Sequence, residues 1–369
     1  MPTSTILGAD IGSVSVALVE MDRNRRVVRG EYRSHEGKVA QTLGDIMSEW
    51  TADRPAGQMR TSGEVRTSGQ VRIVAATSSS PQILQSTYRA DWITSHVAAH
   101  RGIKPEHQLL LIIGGERFAL IQFDGDGHYQ SSRGNSGCAA GTGGFLDQQA
   151  QRLGLRDAGE LGKLASENTG ALPKVASRCA VFAKTDLIHA QQEGYSLPEI
   201  CDGLCLGLAR NLVDAVITGT PPAGGLSIAG GVALNHAVVT HVSALLEREA
   251  FVHELAPAYG AYGAALSALE ERAPESESPI DLMDLVTTHV GERTYFYEPL
   301  TKPTGYPDFT SHERLVVSPE LVGGPEVEVD RYVPATAETA PEQFFLGVDI
   351  GSTSTKTVLI DPEGTVHWA

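Results

Sequence analysis

The sequence predicts an α/β protein, and three observations lead to this prediction. Apolar runs rich in β-branched residues alternate with segments whose apolar residues recur at helical spacing. Three glycine turns each follow a short apolar run that is typical of a buried strand. These turns are Gly12-Ser13, Gly114-Gly115 and Gly230-Gly231. The opening phrase LGADIGSVSVALVEMD, which begins at Leu7, returns as LGVDIGSTSTKTVLID from Leu346, so a strand–turn–strand unit is repeated.

The first part of the chain predicts three strands and one helix. TILGADIG and VSVALVEMD are strand-like runs joined by the first glycine turn, and RVVRGEYR follows after a polar turn. KVAQTLGDIMSEW has its apolar residues at helical spacing. We expect the arginine-rich run from Arg23 to Arg29 to be a solvated turn. The tandem RTSGEV and RTSGQV from Arg60 predict a surface insert without a function of its own.

The following segments continue the alternation of strands and helices. VRIVAATSS and QLLLIIGG predict buried strands, and FALIQFDGDGHYQSSRG predicts a hairpin that turns at residues 124–127. SLPEICDGLCLGLARNLVDAVITG is the clearest helix, with Ser196 as its N-cap and Gly219 as its stop. GLSIAGGVALNHAVV predicts a strand, a turn and a helix, and YGAYGAALSALEERA predicts a last helix.

Composition shifts predict the domain boundaries. A first domain spans residues 4–273, and a connecting region over 274–343 is rich in Pro, Glu, Thr and Gly around short strand-like pieces. Residues 344–369 form a third segment, which carries the returning phrase.

The charge and the cysteine count exclude several classes of protein. The chain has 369 residues and a formal net charge of −16, which argues against nucleic-acid and membrane partners because both need a basic face. Its most apolar run, Leu109 to Ile113, is too short to span a bilayer, and the first ten residues do not resemble a signal peptide. Four cysteines do not make a disulfide framework. We therefore expect a cytoplasmic protein whose cysteines are thiols or metal ligands.

The first glycine turn has the chemistry of an anion site. Gly12 allows backbone N–H groups to approach an anion closely, and Ser13 adds a hydroxyl. Asp10, at the end of the first strand, can hold a hydrated Mg²⁺ beside phosphates. Neither a P-loop nor a dinucleotide fingerprint is present, because no Gly-Lys-Ser/Thr follows and no helix begins there. Taken alone, this turn is equally compatible with a purely structural hairpin.

Three glycine turns at strand ends, in this order, resemble the actin, sugar-kinase and Hsp70 superfamily. The resemblance implies an actin-like fold in which two related α/β halves enclose a nucleotide cleft. The residues that it places against phosphate are Gly12, Ser13, Gly114 and Gly115. The candidates on the adenosine side are Gly230, Gly231 and Asn235.

Cys138 and Cys179 occur in similar surroundings. NSGCAAGTGGFLDQQAQRLGL places Cys138 just before a glycine-rich turn that opens a helix, and ASRCAVFAKTDLIHAQQEG places Cys179 before an apolar helical run. A helix N-terminus carries about half a positive charge and stabilises a thiolate, a phosphate or an anionic cluster. Gly141 and Gly143 in that turn are therefore candidate cofactor-binding residues. Two inert buried cysteines remain the alternative.

CAAGTGGFLDQQA followed by SRCAVFAKTDLI resembles the BadF/BadG/BcrA/BcrD-type ATPase family, the activators of 2-hydroxyacyl-CoA dehydratases and benzoyl-CoA reductases. The resemblance covers about Ile6 to Ala273. It implies ATP and Mg²⁺ as cofactors, Asp10 as the catalytic residue, and Cys138 and Cys179 as ligands of a [4Fe–4S] cluster that two units share. Ferredoxin or flavodoxin would supply an electron of low potential, and an acyl-CoA dehydratase or reductase would receive it.

The resemblance also bears on assembly. The chain is most similar to the first part of large fused activases, so Phe344 to Ala369 would be the truncated start of a second ATPase domain. The shared cluster implies either a homodimer or pairing with that second unit.

Three departures from the family pattern fall on the nucleotide chemistry. Ala17 stands where the family has a lysine that faces phosphate, whereas the second copy has Lys356. The family's Asp-Ile-Gly-Gly-Gln begins here with Ile112, and its Thr-Gly-Tyr-Gly is replaced by residues 77–80, Thr-Ser-Ser-Ser. These departures predict that the first unit binds ATP weakly, hydrolyses it poorly, or keeps only its cluster and dimerisation roles.

Several alternatives stay open at this point. Cys201 and Cys205 could be a metal pair, but their place on an apolar helical stripe favours core packing. His96 and His100 are one helical turn apart, and we expect them on a helix surface rather than on a metal. Two other functions compete with an activator: a small-molecule kinase of the same superfamily, and a scaffold that does not hydrolyse ATP.

Overall fold

The computed structural model describes ten stretches of the chain, which fall into two compact units, Met1–Val290 and Gly291–Ala369. The described residues are 4–52, 70–134, 142–175, 180–217, 219, 223–287, 311–318, 326–332, 343–351 and 354–369, with the backbone alone for 180–184. The tandem RTSG repeat, the strand-like RTYFYEPL, Gly141, Cys138 and Cys179 lie outside the described residues.

The first sheet contains five strands in the order β3-β2-β1-β4-β5. The strands are β1 Ser4–Ile11, β2 Ser15–Asp22, β3 Val27–Ser34, β4 Gln70–Thr77 and β5 Tyr88–Ala90. β1, β2 and β3 form an antiparallel meander, and β4 and β5 continue the sheet in parallel to β1. The helices that follow β3 and β5 are α1 Val39–Thr51 and α2 Trp92–Ile103.

The second sheet repeats this topology in the order β10-β9-β6-β7-β8. Its strands are β6 Leu109–Ile113, β7 Phe118–Phe123, β8 Tyr129–Gly134, β9 Leu226–Ala229 and β10 Ala250–Phe251. Again three strands form an antiparallel meander and two continue in parallel to the first of them. The predicted hairpin with its turn at residues 124–127 is confirmed. Two sheets of the same topology also confirm the expectation of two related α/β halves.

Helices account for most of the chain between the hairpin and the end of the second half. They are α3 Gly143–Arg152, α4 Ala158–Ser166, α5 Ala180–Gln192, α6 Leu197–Val216, α7 His236–Leu245 and α8 Tyr259–Glu270. α6 begins as predicted, because the Glu199 carboxylate accepts hydrogen bonds from the amide and hydroxyl of the N-cap Ser196, at 2.7 and 2.8 Å. Cys201 and Cys205 are fully buried on this helix, which confirms them as core residues, and burial raises the pKa of Cys201 to about 12.

α8 lies against both β1 and α2 at unusually close range. Its sequence YGAYGAAL is rich in small residues, and a Cβ atom on Gly263 would come within 1.7 Å of the Ser95 carbonyl oxygen. A Cβ on Gly8 of β1 would likewise lie 2.0 Å from the Ala261 carbonyl oxygen. Glycine at these positions therefore sets the distance between the helix and its neighbours.

The prediction that His96 and His100 lie on a helix surface is wrong. Both are buried, at 2% and 1% exposure. The Nε2 atom of His100 lies 2.9 Å from the His107 carbonyl oxygen, and its ring stacks on Phe123. Since α8 packs directly on α2, the polar side chains of α2 enter an interior that local periodicity does not reveal.

The arginine-rich run also differs in part from its prediction. The turn itself covers residues 23–26, but Arg29 lies on β3. Its Nε donates to the fully buried carboxylate of Glu20 at 2.6 Å, and its guanidinium stacks on Trp50 of α1. A buried acid needs such a partner, and the helix that covers this face of the sheet completes it.

Packing of the first unit extends beyond Ala273. The Ile280 amide donates to the Val71 carbonyl, and the Gln85 amide donates to the carbonyl of Leu285. A short 3₁₀ helix, Leu282–Leu285, contributes two leucines to the core beneath α1. Residues 276–287 therefore belong to the first compact unit.

The second unit contains a hairpin and a three-stranded meander. The hairpin pairs β11 Glu313–Val317 with β12 Val327–Arg331, and the meander consists of β13 Phe345–Ile350, β14 Thr355–Ile360 and β15 Val366–Trp368. The meander has the antiparallel order of β1, β2 and β3. Within the described stretches of both units, no helix has the length and apolar character needed to cross a bilayer.

Candidate nucleotide cleft

A cleft of about 390 Å³ opens in the first unit where the carboxyl ends of the strands of both sheets meet. Since β1 and β4 are parallel, as are β6 and β9, the turns that follow them lie at shared sheet edges. The predicted site residues that line this cleft are Asp10, Gly12, Ser13, Gly114, Gly115, Gly230 and Gly231. The three glycine turns singled out in the sequence thus line one cavity.

The first two glycine turns have the same geometry. The Gly12 amide donates to the Ser15 carbonyl at 3.0 Å, and the Gly114 amide donates to the Arg117 carbonyl at 2.7 Å. Within the part of the chain that is described, the amides of Ser13, Val14 and Gly115 donate to no acceptor. The glycines that open the turns therefore use their own amides to close them, and the amides that follow are available to an anion.

The two turns also approach each other closely. A Cβ atom on Gly115 would lie 2.5 Å from Cγ2 of Val14 and 3.6 Å from Oγ of Ser13. Both sets of available amides therefore line the same narrow part of the cleft. An anion there would be surrounded by donors from both halves of the unit.

The carboxylate of Asp10 is held at the edge of the cleft by two hydroxyls. Its Oδ1 accepts hydrogen bonds from Oγ1 of Thr77, at 2.6 Å, and from Oγ of Ser79, at 2.9 Å. Its Oδ2 faces the first turn of α8, where a Cβ on Gly260 would come within 2.2 Å of it. The positive end of the helix dipole favours the ionised form there. One oriented carboxylate beside a phosphate-sized space is a donor set that suits hydrated Mg²⁺.

The third glycine turn closes the cleft from the second sheet. Gly230 has φ of +91°, a conformation that favours glycine, and its amide donates to the Ala256 carbonyl at 2.7 Å. The hydroxyl of Tyr32 lies 2.0 Å from where a Cβ on Gly231 would be, so this tyrosine reaches across from the first half. Burial raises the pKa of Tyr32, against a hydrogen bond with Ser15 that lowers it.

Two other predicted residues lie beside the cleft rather than in its lining. The side chain of Asn235 caps α7 by accepting from the Val238 amide at 3.1 Å, and its Nδ2 donates to Cys205 Sγ at 3.6 Å. Gly143 begins α3, and its amide donates to the Gly114 carbonyl at 2.9 Å. The Gly144 amide donates to the Gly115 carbonyl at 2.8 Å. The second glycine turn is therefore joined directly to the start of α3.

Sequence reasoning missed five polar residues of the cleft or its immediate support: Tyr32, Thr77, Ser79, His96 and Arg117. The position of Thr77 and Ser79 after β4, a strand parallel to β1, was a usable signal for two of them. Burial lowers the pKa of His96, whose Nδ1 donates to the Trp92 carbonyl at 2.8 Å, so its imidazole is neutral near pH 7. Tyr32 and Arg117 carry no local signal, because each reaches the cleft only through the meeting of the two halves.

Two halves of equal topology around such a cleft define an actin-like ATPase fold. A solved structure of the activator of the 2-hydroxyisocaproyl-CoA dehydratase from Clostridium difficile, with bound ADPNP, has a TM-score of 0.59 at 24% identity. It covers 72% of this chain and 95% of that chain. Component A of the (R)-2-hydroxyglutaryl-CoA dehydratase from Acidaminococcus fermentans gives 0.59 at 22% identity, over 74% of this chain and 100% of that one. The likeness confirms the predicted fold.

The chain belongs to the BadF/BadG/BcrA/BcrD ATPase family, whose model matches residues 7–268. It is 30% identical over 195 residues to a 2-hydroxyisocaproyl-CoA dehydratase activator of Clostridioides difficile, covering 52% of this chain and 72% of the relative. It is 33% identical over 189 residues to an activator of lactoyl-CoA dehydratase of Anaerotignum propionicum, covering 49% and 70%. A benzoyl-CoA reductase subunit of Thauera aromatica is 29% identical over 199 residues, covering 52% and 70%.

Proposed function

We propose that this protein is an ATP-dependent activator that delivers an electron of low potential, through a [4Fe–4S] cluster, to an acyl-CoA dehydratase or reductase. The observation that carries the proposal is the pair of hydrogen bonds from α3 to the second glycine turn. They connect the cleft to the helix that follows the Cys138 segment. Family membership supplies the expectation of ATP hydrolysis, and the relatives named as activators supply the class of partner.

The nucleotide end of the proposal rests on the cleft. Amides of Ser13, Val14 and Gly115 would receive the phosphates, and Asp10 would hold Mg²⁺ through its water ligands. Gly230 and Gly231 would lie on the adenosine side. ATP can drive a change only if it binds two conformations with different affinity. A cleft whose turns come from separate sheets meets that requirement, since closing the halves brings both turns onto the same phosphates.

The coupling to electron transfer rests on α3. Because the Gly143 and Gly144 amides donate to the carbonyls of Gly114 and Gly115, a displacement of that turn displaces the start of α3. The chain immediately before α3 carries Cys138, and Cys179 directly precedes α5 in the sequence. The positive ends of both helices would favour thiolates at these cysteines.

A [4Fe–4S] cluster, once bound, supplies a one-electron carrier whose potential responds to its surroundings. Thiolates of Cys138 and Cys179 would hold it, but one chain offers only two such ligands. The other two cysteines, Cys201 and Cys205, are fully buried in α6. Two units must therefore combine, either as a homodimer about a twofold axis or by pairing with a second ATPase unit. We propose that residues 344–369 begin such a unit, because their meander repeats that of β1, β2 and β3. Ferredoxin or flavodoxin is the proposed electron donor.

Anaerobic purification tests this proposal. We expect a brown protein that elutes at the mass of two chains, contains iron and sulfide, and activates a 2-hydroxyacyl-CoA dehydratase only with ATP and a reductant. A brown peak at the mass of one chain would contradict the shared cluster. A colourless protein that phosphorylates a sugar would instead identify a kinase, and an intact cluster without nucleotide binding would identify a scaffold.

Substitution of Thr77 by valine tests the role of Asp10. Valine has the shape of threonine but cannot donate to Oδ1, so the carboxylate loses one of its two hydroxyl partners. We expect about tenfold weaker ADP binding when Mg²⁺ is present and no change when it is chelated, measured by isothermal titration calorimetry. Thr94→Val on the exposed face of α2 is the matched control. Equal affinities for the Thr77 variant and the native protein would show that this hydrogen bond does not matter for the metal.

A further inference from the structure

The balance of charge in the cleft is unfavourable for a nucleotide. Among the described residues that line it, Asp10 and Glu116 are acidic and Arg117 is the one with a permanently cationic side chain. The nearby His96 is neutral near pH 7 because burial lowers its pKa. A nucleoside diphosphate or triphosphate adds several negative charges, which require a cationic partner or strong donors when they leave water.

The two copies of the meander differ at the position that would supply this cation. In the second unit Asp349 pairs across the strands with Lys356, whose Nζ lies 3.9 Å from Oδ2 of the aspartate. In the first unit the same register pairs Asp10 with Ala17, which lines the cleft and is 3% exposed. The first unit therefore has the carboxylate without its cross-strand cation.

Arg117 is placed to compensate from the opposite half. Its carbonyl closes the second glycine turn, at 2.7 Å from the Gly114 amide. That turn lies directly beside the first, as the close approach of Gly115 to Val14 and Ser13 demonstrates. The side chain is exposed and forms no ion pair or hydrogen bond with any residue in the described part of the chain. Its guanidinium is therefore not committed to a structural partner.

We propose that Arg117 binds the phosphates of the nucleotide in the first unit and supplies the positive charge that Ala17 does not. The proposal rests on the proposed function, because it takes the cleft to be a nucleotide site. A guanidinium binds phosphate oxygens through two parallel N–H donors, whereas an ammonium acts as a point charge. The phosphate contact of the first unit then comes from the second sheet, so it forms only when the two halves are together.

Calorimetry with the full chain tests this assignment, with MgADP, MgATP and adenosine as the probes. Arg117→Gln is expected to weaken MgADP and MgATP binding about tenfold, as loss of a charge-assisted hydrogen bond does, and to leave adenosine binding unchanged. Its dependence on salt concentration should also become shallower, because one ionic contact is gone. Arg101→Gln, an exposed arginine at the end of α2 and outside the cleft lining, is the matched control and should bind as the native protein does.

A second variant separates loss of charge from loss of structure. Ala17→Lys, introduced into Arg117→Gln, restores the cross-strand cation of the second unit and should recover most of the affinity for MgADP. Unchanged MgADP binding by Arg117→Gln, or an equal loss for adenosine, would overturn the role of Arg117 alone. A native protein that binds none of the three probes would overturn the nucleotide site itself, and with it this assignment.

Discussion

Replacement of Cys138 or Cys179 by serine is expected to remove all iron from the anaerobically purified protein. A serine hydroxyl does not replace a thiolate as a ligand of iron, and with two cysteines per chain no spare ligand is available. Iron and sulfide analysis, together with the visible absorbance of the eluted protein, measures the loss. We also expect these variants to elute at the mass of one chain, since the cluster would join the two units.

Cys201→Ser is the matched control for this experiment. Cys201 is fully buried on α6, so the substitution places a hydroxyl in an apolar core and costs about 1–3 kcal/mol of unfolding free energy. Its iron content should equal that of the native protein. Iron that survives in Cys138→Ser but is lost in Cys201→Ser would reverse the assignment of ligands.

Gly263→Ala is expected to destabilise the first unit by about 3 kcal/mol. The added Cβ would lie 1.7 Å from the Ser95 carbonyl oxygen, a backbone atom of α2 that cannot rotate away. α8 would have to move from α2 and from β1, and the first turn of α8 would shift from Asp10. The midpoint of urea denaturation measures the effect.

Gly44→Ala makes the same chemical change in the middle of α1, where no atom lies within 4 Å of the added Cβ. Alanine has a higher helix propensity than glycine, so this variant should gain about 1 kcal/mol. The two substitutions are thus expected to move the midpoint in opposite directions. A stabilised Gly263→Ala would mean that α8 and α2 are not packed as closely as described.

Much of the fold could be predicted because its signals are local. Strands, helices and turns follow from periodicity, from glycine and from capping residues such as Ser196, and the structure has them in the predicted order. The candidate phosphate turns could be predicted for the same reason, since a glycine after a buried strand is visible in a single stretch of chain. Seven of the predicted site residues consequently line one cleft.

The errors concern residues whose surroundings come from distant parts of the chain. His96 and His100 resemble surface residues until α8 covers them, and Arg29 resembles a solvated residue until α1 brings Trp50 over it. The available amides of the first turn also differ from the expectation, because Gly12 uses its own amide to close the turn. A short motif identifies the turn but not which of its donors remain.

The sequence by itself determined the repeated strand–turn–strand unit, the order of the elements and the three glycine turns, because each depends on neighbouring residues. Only the tertiary structure decided which side chains reach the cleft. Thr77 and Ser79 orient Asp10 because β4 pairs with β1, and the second glycine turn meets α3 through the Gly143 amide. Arg117 enters the cleft from the second sheet. These contacts exist only after the two halves have come together, and residues far apart in sequence carry no local pattern that records such a meeting.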